Sequence, residues 1–192
     1  MPDDDQPRDL TEVERIRIHT ARAALAGAMD RDGDSEGREA AFRQFLQTGG
    51  ALRETLDALH IPDDAGHYAE GLRAILVRIP EGWGRWISCD RGWYPLICDL
   101  DSALAQLDPD YVVHQCKEKF GTLRFYTHSD RFTGIDSEFQ RLIDAAEERS
   151  AAICELCGAR GRPHTRSSAW VKTICAACAE AGGWELIGET VG

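Results

Sequence analysis

No uninterrupted apolar stretch in this chain is long enough to cross a bilayer; the best candidate is the short run around Ala74 to Ile79. An apolar amino-terminal run is missing as well, because Met1 to Asp9 is acidic and carries Pro2 and Pro7, unlike a signal peptide. With seven cysteines in such a chain, the expectation is a soluble protein of the reducing cytoplasm. Internal repeats and low-complexity segments are absent too. The first half shows no nucleophile placed with a base, no phosphate loop and no metal-ligand spacing, so its chemistry is bland.

Positive charge is scarce at the front of the chain. The net charge is −11, and residues 1–110 carry 12 basic against 22 acidic side chains, whereas residues 150–192 carry 4 of each. An acidic body repels nucleic acid at long range and suits a basic protein partner, so nucleic-acid binding would need a local patch. Such a patch is visible between Gly158 and Ile174, where Arg160, Arg162, Arg166 and Lys172 stand without a carboxylate and His164 is interspersed.

What the chain does contain is two Cys-x-x-Cys pairs, Cys154/Cys157 and Cys175/Cys178, separated by the 17 residues 158–174. That spacer falls in the window of four-cysteine zinc sites. Two residues between thiols let a tight knuckle aim both sulfurs at one ion, and the long spacer brings a second knuckle back to complete a tetrahedron. With all four positions filled by protein, no coordination site is left for water or substrate, so one structural Zn2+ is the expected cofactor. Gly158, directly after the first pair, lets backbone amides approach the sulfurs.

The remaining organisation follows from periodicity. Residues 1–9 read as a disordered acidic tail. Residues 10–80 read as a helical unit: Thr11 and Glu14 form a capping box, and apolar stripes recur over Glu39 to Gln47, Ala51 to Leu59 and Ala65 to Ile79. Between the first two helices, Asp30, Asp32 and Asp34 alternate as in a calcium loop, but Ser35 and Ala41 occupy the positions that need glycine and glutamate, which leaves a polar linker. Residues 81–150 read as an α+β module. It opens with Trp83, Trp86, Trp93 and Tyr94 among glycines, as core or as interface. A helix over Leu96 to Leu107 follows, then strands at Tyr111 to Lys117 and Thr122 to Thr127 joined through Glu118 to Gly121, then a helix capped by Ser137. Residues 151–192 read as the zinc ribbon. The fold class is α+β.

The segments Gly92 to Ile97 and Lys117-Glu118-Lys119-Phe120-Gly121-Thr122-Leu123-Arg124-Phe125-Tyr126, followed by a helix and by Cys154 to Gly158, resemble a family of uncharacterised bacterial and phage-borne proteins. Members also end with a tryptophan and a second cysteine pair, matched here by Trp170 and by Cys175 and Cys178. The resemblance covers about residues 83–180. It implies that hairpin, flanking helices and ribbon form one module, and that the gene belongs with mobile-element or accessory genes. It brings no catalytic residue.

Three functional readings compete. The first is a noncatalytic adaptor, inhibitor or regulator that binds another protein. The second is a nucleic-acid-binding regulator that grips phosphates with Arg160, Arg162, Arg166, Lys172 and the hairpin cations Lys117, Lys119 and Arg124, and stacks a base on Trp170. In the bland alternative these arginines offset the charge of the metal-bound thiolates. The third is an enzyme at the hairpin, where alternation puts His114 and Cys116 on one face near Lys119, with no orienting carboxylate to activate them. A second metal site from Cys89, Cys98, Cys116 and His114 is disfavoured by its irregular spacing.

Overall fold

The computed structural model describes residues 53–166 and 170–188. The acidic tail, the capping-box helix, the polar linker and the helix expected over Glu39 to Gln47 lie outside the described residues. Two compact units are present, one of residues 1–58 with 81–84, the other of residues 59–80 with 85–192. In the first, residues 53–57 are helical. Arg53 Nε lies 3.7 Å from Asp57 Oδ2 one turn on, and Asp57 Oδ1 accepts from the Gly82 amide at 2.5 Å. Everything below concerns the second unit.

Its elements are a mixture of helices and two small sheets. Helix α1 (Ala69–Val77) follows a 3-10 turn at Gly66–Tyr68, so the α-helical part is shorter than the stripe over 65–79 suggests. It buries Leu72, Ile75 and Leu76, spaced to share one face. Helix α2 (Tyr94–Leu107) starts two residues earlier than the leucine stripe, because Pro95 is well suited to a first turn. Helix α3 (Glu138–Ser150) is capped as its sequence predicts: Ser137 Oγ accepts from the Gln140 amide at 3.1 Å. α1 packs on α2, α2 on α3, and α3 on strand β3 (Thr122–His128). Among the described residues no helix is long and apolar enough to cross a membrane.

The first sheet has the order β1-β2-β3, where β1 is Ile87–Ser88 and β2 is Val112–Lys119. β1 runs parallel to β2 and β2 antiparallel to β3. Both hairpin strands outrun the expected lengths, which leaves a two-residue turn. Phe120 (φ 54°) and Gly121 (φ 79°) both take the left-handed conformation that matches a type I′ turn to the strand twist. The free edge of β3 is covered by α3, since Leu123 N donates to Ser150 Oγ at 2.8 Å and Phe125 N to Glu147 Oε1 at 3.0 Å.

A register shift between Val113 and Gln115 corrects the expected alternation of β2. The extra residue of a bulge moves the strand's faces by one, so Val113 and Cys116, three apart, are both buried. Cys116 therefore faces the core. His114 instead stacks on His128 of β3, with ring centroids 6.4 Å apart and planes within 3°.

Trp93 resolves the tryptophan question in part. It is fully buried and donates Nε1–H to the Ile153 carbonyl at 2.9 Å, whereas Trp86 is half-buried and Trp83 exposed. Beneath α2, Arg78 donates Nε to Asp101 Oδ1 at 2.9 Å and lies 4.3 Å over the Tyr111 ring, and Tyr111 donates its hydroxyl to the same carboxylate. Burial and that hydrogen bond push the Tyr111 phenol well above its ordinary range.

The second sheet has the order β5-β4-β6, with β4 (Arg162–Arg166) antiparallel to both β5 (Trp170–Ile174) and β6 (Glu185–Leu186). Helix α4 (Ala176–Gly182) follows β5.

Candidate metal centre

All four paired cysteines converge. The sulfurs of Cys154, Cys157, Cys175 and Cys178 lie within 4.8 Å of one another, and Cys157 Sγ is 3.7 Å from Cys175 Sγ. The first pair sits on a knuckle that α3 delivers. Cys154 N donates to the Ala159 carbonyl at 2.6 Å, Gly158 N returns to the Cys154 carbonyl at 2.8 Å, and Ile153 bridges Arg160. The second pair straddles the start of α4, with Cys175 as its N-cap residue.

The two knuckles hold their sulfurs differently. Burial pushes the Cys154 thiol up and the Cys178 thiol to about 12, while the Cys178 backbone amide and neighbouring thiols bring Cys175 down to about 7. A divalent cation among the four would deprotonate all of them. Four sulfurs suit a soft or borderline metal held for structure, with no open position for chemistry. No other group of three or more ligating side chains forms among the described residues, and this holds for Cys89, Cys98, Cys116 and His114.

The first knuckle is locked to the α+β module by an ion set that sequence reasoning missed. Glu155, inside the first cysteine pair, is only 1 % exposed. Its Oε2 accepts from Lys172 Nζ at 2.8 Å and its Oε1 from the Asp90 amide at 3.2 Å, and Lys172 also donates to Asp90 Oδ2 at 2.6 Å. Burial pushes the Glu155 carboxyl up to about 7 against the pull of Lys172. Burial also opposes the charge on Lys172, but the two carboxylates outweigh it and hold the ammonium protonated. The only sequence hint was an acid between two ligands and a lysine on the returning strand.

Gly92 makes this docking possible. Its amide donates to the Glu155 carbonyl at 2.7 Å, and a Cβ there would sit 2.5 Å from both that oxygen and the Gly158 nitrogen. The hairpin touches the second sheet as well. A Cβ on Gly121 would meet Val171 Cγ1 at 3.2 Å and Thr173 N at 3.3 Å, so the turn lies directly against β5.

The basic spacer is dispersed by the fold. Lys172, counted among the candidate phosphate-binding cations, is consumed in the lock, where it pairs with two carboxylates. His164 is buried and donates Nδ1–H to the Arg162 carbonyl at 2.7 Å. Arg166 lies 5.5 Å over the Trp184 ring and donates to the Gly182 carbonyl at 3.3 Å. Arg160 and Arg162 are exposed, and Trp170 is 50 % exposed. On the hairpin, Lys117 Nζ stands 5.8 Å over the Tyr126 ring, Lys119 Nζ 5.5 Å over Phe120, and Arg124 lies 3.6 Å from Glu147.

Cys116 hydrogen-bonds to Cys89, whose thiol is pushed well up, first by that bond and then by burial. The Cys89 thiol, raised in this way, is the reverse of an activated nucleophile, and Cys116 itself is fully buried in the core. No protein-family model, curated protein or solved structure matched the chain.

Proposed function

We propose that the four cysteines hold one structural zinc ion and that the protein is a noncatalytic adaptor, inhibitor or regulator acting on another protein in a reducing compartment. Four sulfurs about 2.3 Å from a zinc ion stand about 3.8 Å apart, and the Cys157–Cys175 separation of 3.7 Å fits that tetrahedron. On this reading the second sheet with its two knuckles is a zinc ribbon.

The observation that carries the binding role is Phe120. It is 70 % exposed at the hairpin tip and takes a left-handed conformation that costs an aromatic residue about 1–2 kcal/mol. Asparagine would fill that position with less strain, and an exposed ring recovers little burial energy in return. An exposed aromatic, fixed at a turn that lies against Val171 and Thr173, suits an anchor for a partner's pocket.

The test is purification of the protein from its native cells, with and without nuclease, with metal analysis of the eluate. The expected result is one zinc per chain and a stoichiometric protein partner that survives nuclease and is lost with Phe120→Asn. Zinc far below one per chain would overturn the metal assignment. A partner retained by Phe120→Asn would overturn the anchor.

A further inference from the structure

The helices cover one face of the β1-β2-β3 sheet, burying Ile87, Val113, Cys116, Leu123 and Phe125. The opposite face is chemically different. Alternation places Lys117 and Lys119 of β2 there with Arg124, Tyr126 and His128 of β3, and the bulge turns His114 onto the same side, against His128. Lys117 pairs in register with Arg124, so three permanent cations cluster toward the turn, and Tyr126, 43 % exposed, follows Arg124 two residues on.

Neither strand contributes an acid to this face. Glu118, the one carboxylate in β2 and β3, alternates to the other side and accepts from the Gly121 amide at 2.6 Å. Glu147 approaches Arg124 from α3 at 3.6 Å, and Asp130 holds His128 Nε2 at 3.0 Å. Lys117 and Lys119 lie within ion-pair distance of no carboxylate among the described residues; each stands over an aromatic ring instead.

We propose that this outer sheet face binds single-stranded nucleic acid, with Lys117, Lys119 and Arg124 on the phosphates and Tyr126 stacking a base. Apart from Lys119, which stands over the Phe120 ring, the site uses none of the residues of the protein contact at the hairpin tip. An exposed ring beside clustered cations on a rigid sheet is the arrangement that single strands use, because every base offers a π face and the backbone offers evenly spaced charge. An acidic polypeptide would satisfy the cations but gives Tyr126 nothing to stack on. Duplex binding needs a longer track of charge than three cations supply, the more so on a chain of net charge −11. The acidic remainder of the chain also confines binding to this face.

The experiment is fluorescence anisotropy of the zinc-loaded full chain with labelled oligothymidylate and oligouridylate of about 12 nucleotides, longer than the sheet face and within the range of site sizes of small single-strand-binding folds. Three phosphate contacts predict a log–log salt slope of about −2, or a roughly 20-fold loss of affinity between 50 and 200 mM salt. Lys117→Ala with Lys119→Ala reduces that slope by about 1.4, and Tyr126→Leu weakens binding by about 5-fold or more. Arg160→Ala with Arg162→Ala leaves binding unchanged. Circular dichroism and unfolding curves verify that each variant is folded. The proposal is overturned by no binding at low salt, by a preference for duplex, or by binding that follows Arg160 and Arg162. Equally tight, equally Tyr126-independent binding of polyglutamate would also overturn it, because the face would then be reading charge alone, as for an acidic protein.

Discussion

Replacing Lys172 by methionine keeps the apolar stem of the side chain and removes the ammonium from the lock. Glu155, 1 % exposed, then loses its 2.8 Å partner, while Asp90 is open enough to turn to water. Breaking one side of a buried ion pair costs about 3–5 kcal/mol, most of it from the charge left behind. Glu155 can escape that cost by taking a proton. Its folded pKa is raised from 4.5 to about 7, so the folded state binds the proton more tightly than the unfolded chain, and the ionised carboxyl costs stability increasingly as pH rises through the folded value. Without Lys172 the folded value climbs further. The deficit of Lys172→Met relative to wild type is therefore about 1 kcal/mol near pH 6, that of an ordinary lost hydrogen bond, and grows by at most about 1.4 kcal/mol, the worth of one pKa unit, to about 2–2.5 kcal/mol near pH 8. For a chain of this size each kcal/mol moves Tm by about 2–4 °C, giving roughly 4–10 °C at pH 8 and about 2–4 °C at pH 6. Both proteins are melted metal-loaded at each pH, so protonation of the thiols affects both alike. Adding Glu155→Gln should restore most of the loss at pH 8. Equal deficits at the two pH values, or one under 1 kcal/mol at pH 8, would refute the reasoning.

Gly92→Ala pushes a methyl group into the backbone of the first knuckle and breaks the bond from Gly92 to the Glu155 carbonyl; urea unfolding should show a loss of about 2–4 kcal/mol. Phe120→Asn relieves the left-handed strain, so Tm should stay level or rise by a few degrees, corresponding to about 1 kcal/mol, even as the protein contact is lost. Removing the metal with a strong chelator should abolish amide-exchange protection over residues 153–188 while α1 and α2 stay protected, because binding energy on the order of 10 kcal/mol or more holds such knuckles closed. Cys157→Ser should reproduce that pattern without a chelator.

Signals that act over a few residues were the legible ones. The Ser137 cap, the leucine stripe of α2, the hairpin with Gly121 in a left-handed turn and the convergence of the cysteine pairs all stand in the structure where the sequence places them. Elements defined by distant partners were not. Strand β1 is two residues long and exists only because β2 pairs with it, and β6 exists only by pairing with β4. The bulge that parts His114 from Cys116 leaves no composition signal, and strict alternation put both on one face. Lys172 was misread for a related reason: counted along the spacer it is one of four cations, but its role is set by Asp90, 82 residues away.

These long-range contacts decide what the metal does for binding. Strand β5 ends at Ile174, directly before the ligand Cys175, and its other residues brace the hairpin turn and carry Lys172 into the lock. Fixing Cys175 therefore fixes β5, and β5 fixes the turn from which Phe120 projects. Behind that turn, Lys117, Lys119 and Arg124 are set by hairpin register, which α3 secures from the other edge through Ser150 and Glu147. The two surfaces should then respond differently to loss of the metal. The tip loses its brace, so an anchor that depends on a preorganised Phe120 pays the ordering cost at binding and weakens. The sheet face keeps α3 and its register, so its affinity for single strands should survive. A structural ion whose ligands belong to neither surface would in this way control one and spare the other.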